Sequence, residues 1–578
     1  MHSIDIAVVG TGWYGLAAAK TYIELHPNVN MAVFEAGPTV GGVWSQERVY
    51  PGLQSNNLLG TYEYPDFPMD EATYGVRKGE HIPGETLHRY LTDYAKRFGV
   101  YKHIHFNTRV DTVSPAPDNT GWVLALTSTS SPPTPTPNPP TLTTTKLILA
   151  TGLTSSPHLP SFPGHASFTP PLFHTSALPS HTPTLTTATT VVVLGASKSA
   201  YDAVYASARA GATVHMVVRP SGRGPVWMAP PHVTPFRRWL EKLVHTRLLT
   251  WFSPCVWGGE DGFGVVRGLL HETWAGRKVV DAFWWVLSSD MAGLCGYDKH
   301  PETAKLRPWH SAFWTGSGLG ILNYPTGWFE EVRRGRVRVH VAEVVGLEGE
   351  GVVLGDGEVV RTDALVCATG WVKRPSVEFE GVDAATLGLP SEESSPELDK
   401  LVARADATIL ARFPRLKDQP SVNRIDSPAK GFSHPFRLYR FMVPPALGAS
   451  HNLAFAGMVS DISTSICASV QGLWISAYLD GKLSRTPSSS FGVQWETMLH
   501  TQFGKWRCPM GYGEYFPDFV FDALPYYDML LRDMGLEGRR KGGWRDILVP
   551  YGPEDYRKIV EEWETRRSAM ERQEKKEV

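Results

Sequence analysis

Cysteine is scarce in this sequence, and the few cysteines present form no recognisable pattern. Only five occur among 578 residues, they lie far apart, and no two form a C-x-x-C pair. An odd, scattered set argues against a disulfide scaffold, a zinc site or a redox dithiol. We therefore expect no metal, and a protein of a reducing compartment such as the cytoplasm.

Excess charge and long apolar runs are also missing. The formal net charge of −2 gives no electrostatic reason to expect a nucleic acid or an anionic membrane as partner. No apolar run is long enough to span a bilayer, and the N-terminus lacks the basic region of a secretory leader. The remaining composition, 42% hydrophobic and 20% charged, is ordinary for a globular enzyme of two or more domains.

The first stretch of the chain carries a nucleotide-binding pattern. Gly10, Gly12 and Gly15 form a G-x-G-x-x-G between a short apolar strand and a helix, and Glu35 ends the next apolar strand. The first glycine permits a tight turn, the second admits a pyrophosphate, and the third lets the helix pack on the strand. Phosphates favour the helix N-terminus, and a carboxylate placed like Glu35 accepts from ribose hydroxyls. The pattern predicts a dinucleotide site.

A second unit of the same kind follows. The apolar strand Thr190–Leu194 leads into Gly195-Ala-Ser197-Lys-Ser199 at the start of a helix. Arg219 follows the next strand, Thr213–Val218, where the first unit has its carboxylate. An arginine at this point suits a 2′-phosphate, which it binds through paired hydrogen bonds. The unit therefore predicts NADP, although Arg219 also fits the end of an ordinary surface strand. Two nearby cations are candidates to assist it: Lys198 and Arg223.

Each nucleotide pattern is followed by a buried strand that ends in Ala-Thr-Gly, with Thr151 in the first and Thr369 in the second. This alternating order predicts an α/β fold in which one Rossmann-like dinucleotide domain is inserted within another. Two nucleotide sites in one chain suggest that NADPH delivers hydride to FAD. The predicted domains are FAD-binding (1–160 and 371–485), NADPH-binding (161–370) and a C-terminal extension (486–578).

Three further segments carry predictions. Residues 128–145, rich in serine, threonine and proline, are expected to form a surface loop. A helix is expected from about Ser469. Residues 224–324 are irregular and rich in tryptophan, and predict a mainly helical insertion at about 225–315. Its aromatics suit a cavity for a small hydrophobic organic substrate, a peripheral membrane contact, or simply the insertion's own core. Nothing in the pattern predicts an oligomeric state.

Together these motifs resemble the class B flavin monooxygenases, which comprise N- and S-oxygenating enzymes and their Baeyer–Villiger relatives. The similarity covers most of residues 3–485 and is strongest to soluble fungal members of secondary metabolism, the only ones that the later extension resembles. Besides the glycine patterns and Ala-Thr-Gly strands, it rests on Gly41-Gly42-x-Trp44, Tyr50-x-Gly-Leu-x-x-Asn56, Leu438-Tyr-x-x-x-x-Pro444-Pro445, Phe455-Ala-Gly457 and Gln471-x-x-Trp474.

The resemblance implies FAD and NADPH as cofactors, and insertion of one oxygen atom of O₂ into the substrate through a flavin (hydro)peroxide. It implies that Asn56 is the active-site asparagine, an uncharged donor for the oxygen adduct or the NADP⁺ ribose. The alternative is a turn-forming asparagine that bonds nearby backbone. The implied cofactor contacts are Gly10, Gly12, Trp13, Gly15, Glu35, Gly42, Val43, Trp44, Asn56, Val110, Thr151, Gly195, Ser197, Ser199, Arg219, Thr369 and Gln471.

One family motif is altered. The linker between the domains carries Phe-x-Gly-x-x-x-His with an aromatic residue four positions on, but here Pro170 replaces the glycine and Leu178 the aromatic residue. Phe168 and His174 are kept, and we expect His174 to be structural. The type of oxygenation stays open.

Two other classes remain at this point. A flavin oxidase or dehydrogenase would pass its electrons on without inserting oxygen. A non-catalytic FAD-binding protein would need only the first nucleotide site, and the second unit argues against it.

Overall fold

The computed structural model describes residues 2–118, 120–130, 140–234, 237–392, 394–421, 434–487 and 489–577. The loop expected at 128–145 lies largely outside these residues. Its flanks belong to the strands Trp122–Ser128 and Thr141–Leu149, so the second strand begins earlier than the apolar run alone indicates. The first residues of that strand are mostly polar and partly exposed to solvent. A pattern of apolar residues therefore does not reveal them as part of a strand.

The first sheet has eight strands. His2–Val9 lies at its centre and pairs in parallel with Thr141–Leu149 on one side and Met31–Phe34 on the other. The helices Trp13–Leu25 and Thr464–Leu479 pack against each other and share an apolar cluster with this sheet. The other strands are Ile104–His105, Thr108–Pro115, Trp122–Ser128, Glu378–Phe379 and Leu453–Phe455.

The helix expected from about Ser469 begins five residues earlier, at Thr464. Nearly every side chain of this helix is buried, so the sequence shows no polar face from which its start is recognised. Two shorter elements complete this region: the helix Gly84–Arg97, and the strand Gln54–Leu58, which pairs with His81–Pro83.

The second sheet has five strands, all parallel. Two of them, Thr190–Leu194 and Thr213–Val218, have the predicted bounds, and the helix Lys198–Ala210 connects them. Short apolar runs closed by glycine give the clearest strand signals, which explains the agreement. The other strands are Leu172–His174, Val337–Val341 and Ala364–Cys367.

The second sheet is nested within the first. The chain leaves the first sheet after Leu149, builds the second, and returns to the first at Glu378–Phe379 and Leu453–Phe455. The predicted nested α/β fold is confirmed. A small antiparallel sheet precedes the return, and Gly357 lies in its last turn at φ +90°. Its strands are Val344–Glu348, Gly351–Leu354 and Val359–Arg361.

The insertion is mainly helical, as expected. None of the described helices combines the length and apolar character needed to cross a membrane. Its tryptophans differ in burial: Trp274, Trp285 and Trp309 are exposed, the first two at 71%, and Trp239 and Trp251 are half-buried. The buried ones are Trp227, Trp257, Trp284 and Trp314. The helices are Leu240–Val244, Arg247–Thr250, Gly264–Glu272, Trp274–Cys295 and Pro301–Ala304.

The C-terminal extension joins the main core. Asp533 ends one of its helices, is fully buried, and accepts hydrogen bonds from Arg440 Nε at 2.7 Å, Arg485 Nε at 3.0 Å and Trp474 Nε1 at 3.2 Å. One carboxylate thus joins the extension to the segment before it. The extension's helices are Ser490–Arg507, Ala523–Asp533, Arg545–Leu548 and Ile559–Glu577.

We expect Asp533→Ala to lower the free energy of unfolding by about 3–5 kcal/mol, because it leaves the buried Arg440 guanidinium without this carboxylate. Thermal and denaturant unfolding measure the loss. Asp298→Ala is the control, because its ion pair with Arg307 is exposed and should contribute at most about 1 kcal/mol. Equal losses in the two variants would contradict the anchoring role of Asp533.

Candidate functional site

The first glycine-rich turn lies at the edge of the first sheet where its parallel strands end. A Cβ atom at Gly10, which has φ +104°, would overlap the carbonyl oxygen of Ala150. A Cβ at Gly15 would overlap the carbonyl oxygen of Gly10. Gly12 is less crowded, since the nearest atom to a Cβ there is Gly42 Cα at 3.8 Å. The tight turn and close helix packing expected from the sequence are therefore present.

Glu35 lies beside this turn. Its Oε2 accepts from the backbone N–H of Thr11 at 3.0 Å and from the Thr11 hydroxyl at 2.6 Å, and Oε1 accepts from Gly37 N–H at 2.8 Å. The carboxylate therefore stabilises the turn. A carboxylate offers about four lone-pair sites, so it can also accept from a ribose hydroxyl, as the sequence predicts.

The turn fits an FAD pyrophosphate, and one polar atom nearby needs a partner. The hydroxyl of Thr151, which follows the first Ala-Thr-Gly strand, is buried and has no hydrogen-bond partner among the described residues. Buried polar groups are normally paired, so a ligand with hydrogen-bonding groups at this edge would satisfy it. Trp13 has a packing role as well, since its ring lies 4.6 Å from that of Tyr64.

The other residues implied to contact FAD differ in how much of each residue is accessible to a ligand. Val43 is 42% exposed, Gly42 has φ +60°, and the Trp44 indole N–H donates to the Tyr62 hydroxyl at 3.3 Å. Val110 is only 2% exposed, in a strand of the first sheet. Its side chain is therefore part of the core, and only its backbone is left for a cofactor contact.

Gln471 is fully buried, and protein groups occupy both ends of its side chain. Its Oε1 accepts from Gly457 N–H at 2.9 Å, and its amide donates to the Tyr526 hydroxyl at 2.9 Å. Gln471 therefore holds the Gly457 turn in place, and its cofactor contact stays a prediction. The sequence does not reveal the hydrogen bond to Tyr526, because Tyr526 comes from the distant C-terminal extension.

The second glycine turn repeats the geometry of the first. A Cβ at Gly195, with φ +127°, would overlap the carbonyl oxygen of Ala368 in the second Ala-Thr-Gly. Beside it lies a cavity of about 510 Å³, lined by Ser197, Ser199, Arg219 and Thr369 among others. Ser197 precedes the first residue of the helix Lys198–Ala210. The cavity is therefore open to the helix N-terminus, which favours a pyrophosphate.

The three predicted phosphate cations, Lys198, Arg219 and Arg223, all line the 510 Å³ cavity. The 2′-phosphate contact of Arg219 stays a prediction. Lys198 forms an ion pair with Asp202. Arg223 donates to the Gly511 carbonyl and pairs with Glu514 at 3.3 Å. The two candidates for assisting Arg219 thus already have acidic partners.

Asn56 lies where two cavities meet. It lines the 510 Å³ cavity and a second, largely apolar cavity of about 140 Å³. Asn56 belongs to the strand Gln54–Leu58. The side chain that bonds the nearby backbone is that of Ser55, whose hydroxyl donates to the Asn57 carbonyl at 2.6 Å. The alternative that Asn56 forms a turn is therefore wrong.

The 140 Å³ cavity is built from segments far apart in sequence. Apolar walls come from the insertion, through Leu240, Val244, Trp284 and Met291, and from the extension, through Phe521. Polar groups in the wall include Asn57, Glu241, Asp461 and Arg507. No sequence motif marks these polar residues, because the insertion and the extension meet only in the folded chain.

Burial shifts the pKa of several ionisable groups around the cavities. It raises the pKa of Glu241 to about 7, against the opposing effect of hydrogen bonds from Leu58, Thr61 and Asn57. It also raises the pKa of Asp461, which accepts from the Tyr527 hydroxyl. Beside the larger cavity, burial lowers the pKa of Lys373 to about 8. No group of three or more potential metal ligands is clustered among the described residues.

The altered linker forms a regular strand of the second sheet. His174 ends that strand, is 5% exposed, and accepts at Nδ1 from Ser176 N–H at 3.1 Å. Its ring packs edge-on against Trp371 at 4.8 Å, and burial lowers its pKa. Leu178, in the position of the family's aromatic residue, is buried. These contacts suit the structural role expected for His174, which also lines the 510 Å³ cavity.

Comparison with known proteins adds the family. A model described as flavin-binding monooxygenase-like matches residues 3–234. The chain is 34% identical to the FAD-dependent monooxygenase resA of Aspergillus sclerotiorum, covering 97% of this chain and 98% of the relative. It is also 34% identical to an FAD-dependent monooxygenase of Pyrenophora dematioidea, covering 93% and 98%.

Solved structures agree on the fold. An open structure of cyclohexanone monooxygenase superimposes with a TM-score of 0.60 at 16% identity, covering 92% of this chain and 98% of that chain. Steroid monooxygenase bound to NADP gives a TM-score of 0.56 at 17% identity, covering 93% and 99%.

The nested sheets and their paired glycine turns define a flavoenzyme with two dinucleotide sites. The chain belongs to the flavin-binding monooxygenase family, as its motifs predicted. It is a flavin-dependent monooxygenase. The individual cofactor-contacting residues remain predictions.

Arg219→Ala should raise the KM for NADPH by roughly 10- to 100-fold, the loss expected for hydrogen bonds to a charged group. The KM for NADH, which lacks the 2′-phosphate, should change little. Steady-state kinetics with both nucleotides measure the difference. Arg209→Ala, at an exposed arginine of the same domain, is the control and should leave both values unchanged. A similar rise for NADH and NADPH would contradict the phosphate role.

Proposed function

We propose that this enzyme oxygenates a small, largely apolar organic substrate held in the 140 Å³ cavity. The observation that supports the proposal is the position of Asn56, whose strand forms a wall of this cavity and of the larger nucleotide cavity. A substrate on one side and the nicotinamide nucleotide on the other would then both approach the same amide.

When bound, FAD and NADPH supply the electrons and activate O₂. The chain supplies the surroundings. In the proposed site, the Asn56 amide donates a hydrogen bond to negative charge on oxygen, and being uncharged it does so without giving up a proton. The rings of Trp284 and Phe521 in the cavity wall would keep water away, which prevents the loss of reactive species.

Several features of the chain support a location in the cytoplasm, which is also a proposal. All five cysteines are free and buried. Burial raises the pKa of Cys255, Cys467 and Cys508 well above the usual value, so these thiols stay protonated and unreactive. A reducing compartment suits such a set.

Asn56→Ala should keep FAD and its reduction by NADPH, because the FAD turn and the 2′-phosphate site are elsewhere. It should release hydrogen peroxide faster in the absence of substrate, by roughly tenfold or more, the effect of losing one such donor. Peroxide release per NADPH consumed measures the change, and exposed Asn28→Ala serves as control. An unchanged release rate would remove Asn56 from the proposed site.

One observation supports a second proposal, that the insertion makes a peripheral membrane contact. The neighbouring helices Gly264–Glu272 and Trp274–Cys295 expose apolar side chains together with exposed Lys278. Exposed tryptophan combined with lysine or arginine is typical of interfacial helices. The exposed side chains are Val265, Leu269, Trp274, Val279, Trp285, Val286 and Leu294.

Flotation with anionic vesicles tests this second proposal. The protein should float with the vesicles, and the double variant Trp274→Ser/Trp285→Ser should not, because it removes the two largest apolar groups of the face. Trp544→Ser is the control, since Trp544 is 67% exposed but lies in the extension. Protein that stays below the vesicles would exclude the membrane contact.

A further inference from the structure

One buried carboxylate in the wall of the 140 Å³ cavity has no part in the mechanism above. Glu241, on the insertion helix Leu240–Val244, is 7% exposed. Its Oε2 accepts from Leu58 N–H at 3.0 Å and from the Thr61 hydroxyl at 2.7 Å. Its Oε1 accepts from the side-chain amide of Asn57. All three donors belong to the strand that carries Asn56 or to the turn that follows it.

The strand is held from both sides of Asn56. After it, Asn57 is bonded to Glu241 and also donates to the Ile462 carbonyl at 2.8 Å. Before it, the amide of buried Asn323 donates to the carbonyls of Gln54 at 3.0 Å and Ser55 at 3.1 Å. Two side chains from distant segments therefore fix the backbone on either side of Asn56.

We propose that Glu241 is a positioning residue, whose ionised carboxylate holds the strand Gln54–Leu58 so that the Asn56 amide stays at the junction of the two cavities. The inference rests on the proposed function, because it gives Glu241 its effect through Asn56. Nothing in the arrangement requires Glu241 to touch the substrate or a cofactor.

The geometry requires the ionised form. A carboxylate accepts at both oxygens, whereas a protonated carboxyl group presents an O–H to a site that already contains three donors. Burial raises the pKa of Glu241 to about 7, so its hold on the strand weakens as pH falls through that value. The ionisable groups around it are Tyr62, Lys242, His245, Asp461 and Arg507.

Glu241→Gln tests the proposal without changing the size of the side chain. Glutamine has one acceptor oxygen, so either Asn57 or the Leu58–Thr61 pair faces an NH₂ group. Asn57 cannot compensate by turning its amide, because its N–H also serves the Ile462 carbonyl. Exposed Glu272→Gln, in the same insertion, is the matched control.

The first readout needs no cofactor. Amide hydrogen exchange over residues 54–61 at pH 8 should be faster in Glu241→Gln by roughly tenfold, the effect of losing a hydrogen bond to a charged acceptor. Glu272→Gln should exchange like the parent protein. Unchanged exchange in Glu241→Gln would overturn the proposal. A lower melting temperature with uniformly faster exchange throughout the chain would do the same, because it would indicate general destabilisation.

The second readout separates this inference from the proposed function. At pH 8, the FAD-loaded Glu241→Gln variant should release peroxide faster than the parent enzyme when NADPH is supplied. Between pH 6 and 8, peroxide release should change with pH in the parent enzyme but not in the variant. In an Asn56→Ala background, Glu241→Gln should add nothing, because coupled residues give non-additive effects. Additive effects would overturn the role proposed for Glu241 and would leave the proposed function untouched. No effect of Asn56→Ala by itself would overturn the proposed function.

Discussion

The close approach of a glycine to a carbonyl oxygen, made once in each large sheet where its parallel strands end, determines how this molecule is arranged. Gly10 lies against Ala150 and Gly195 against Ala368, with no room for a side chain in either place. Each contact places a helix N-terminus beside the carboxyl ends of the strands, where an anionic nucleotide is favoured. Nesting one sheet within the other then allows two such edges in one chain.

The strand Gln54–Leu58 lines both cavities through Asn56. Side chains from the insertion and from the segment around Asn323 hold its backbone on either side of Asn56. Burying the Glu241 carboxylate is costly unless hydrogen bonds compensate for lost hydration. The three donors it receives compensate in part, since burial still raises its pKa, and they fix the strand in return.

The sequence predicted most of what depends on local pattern. The glycine turns, the strands Thr190–Leu194 and Thr213–Val218, and the nested order follow from short apolar runs and glycine positions. Contacts between distant segments were not predictable in the same way. Glu241, Asp461 and Arg507 come together only after the insertion and the extension pack on the first domain. The hydrogen bond between Gln471 and Tyr526 was unpredictable for the same reason, since the two residues lie 55 positions apart.

A crystal structure of the protein with FAD and NADP⁺ tests the central claim most directly. The account predicts the NADP⁺ pyrophosphate at the N-terminus of the helix Lys198–Ala210, its 2′-phosphate on Arg219, and its nicotinamide end beside Asn56. The 140 Å³ cavity should remain open on the other side of Asn56. NADP⁺ bound elsewhere, or a nicotinamide end remote from Asn56, would contradict the convergence of the two cavities on this residue.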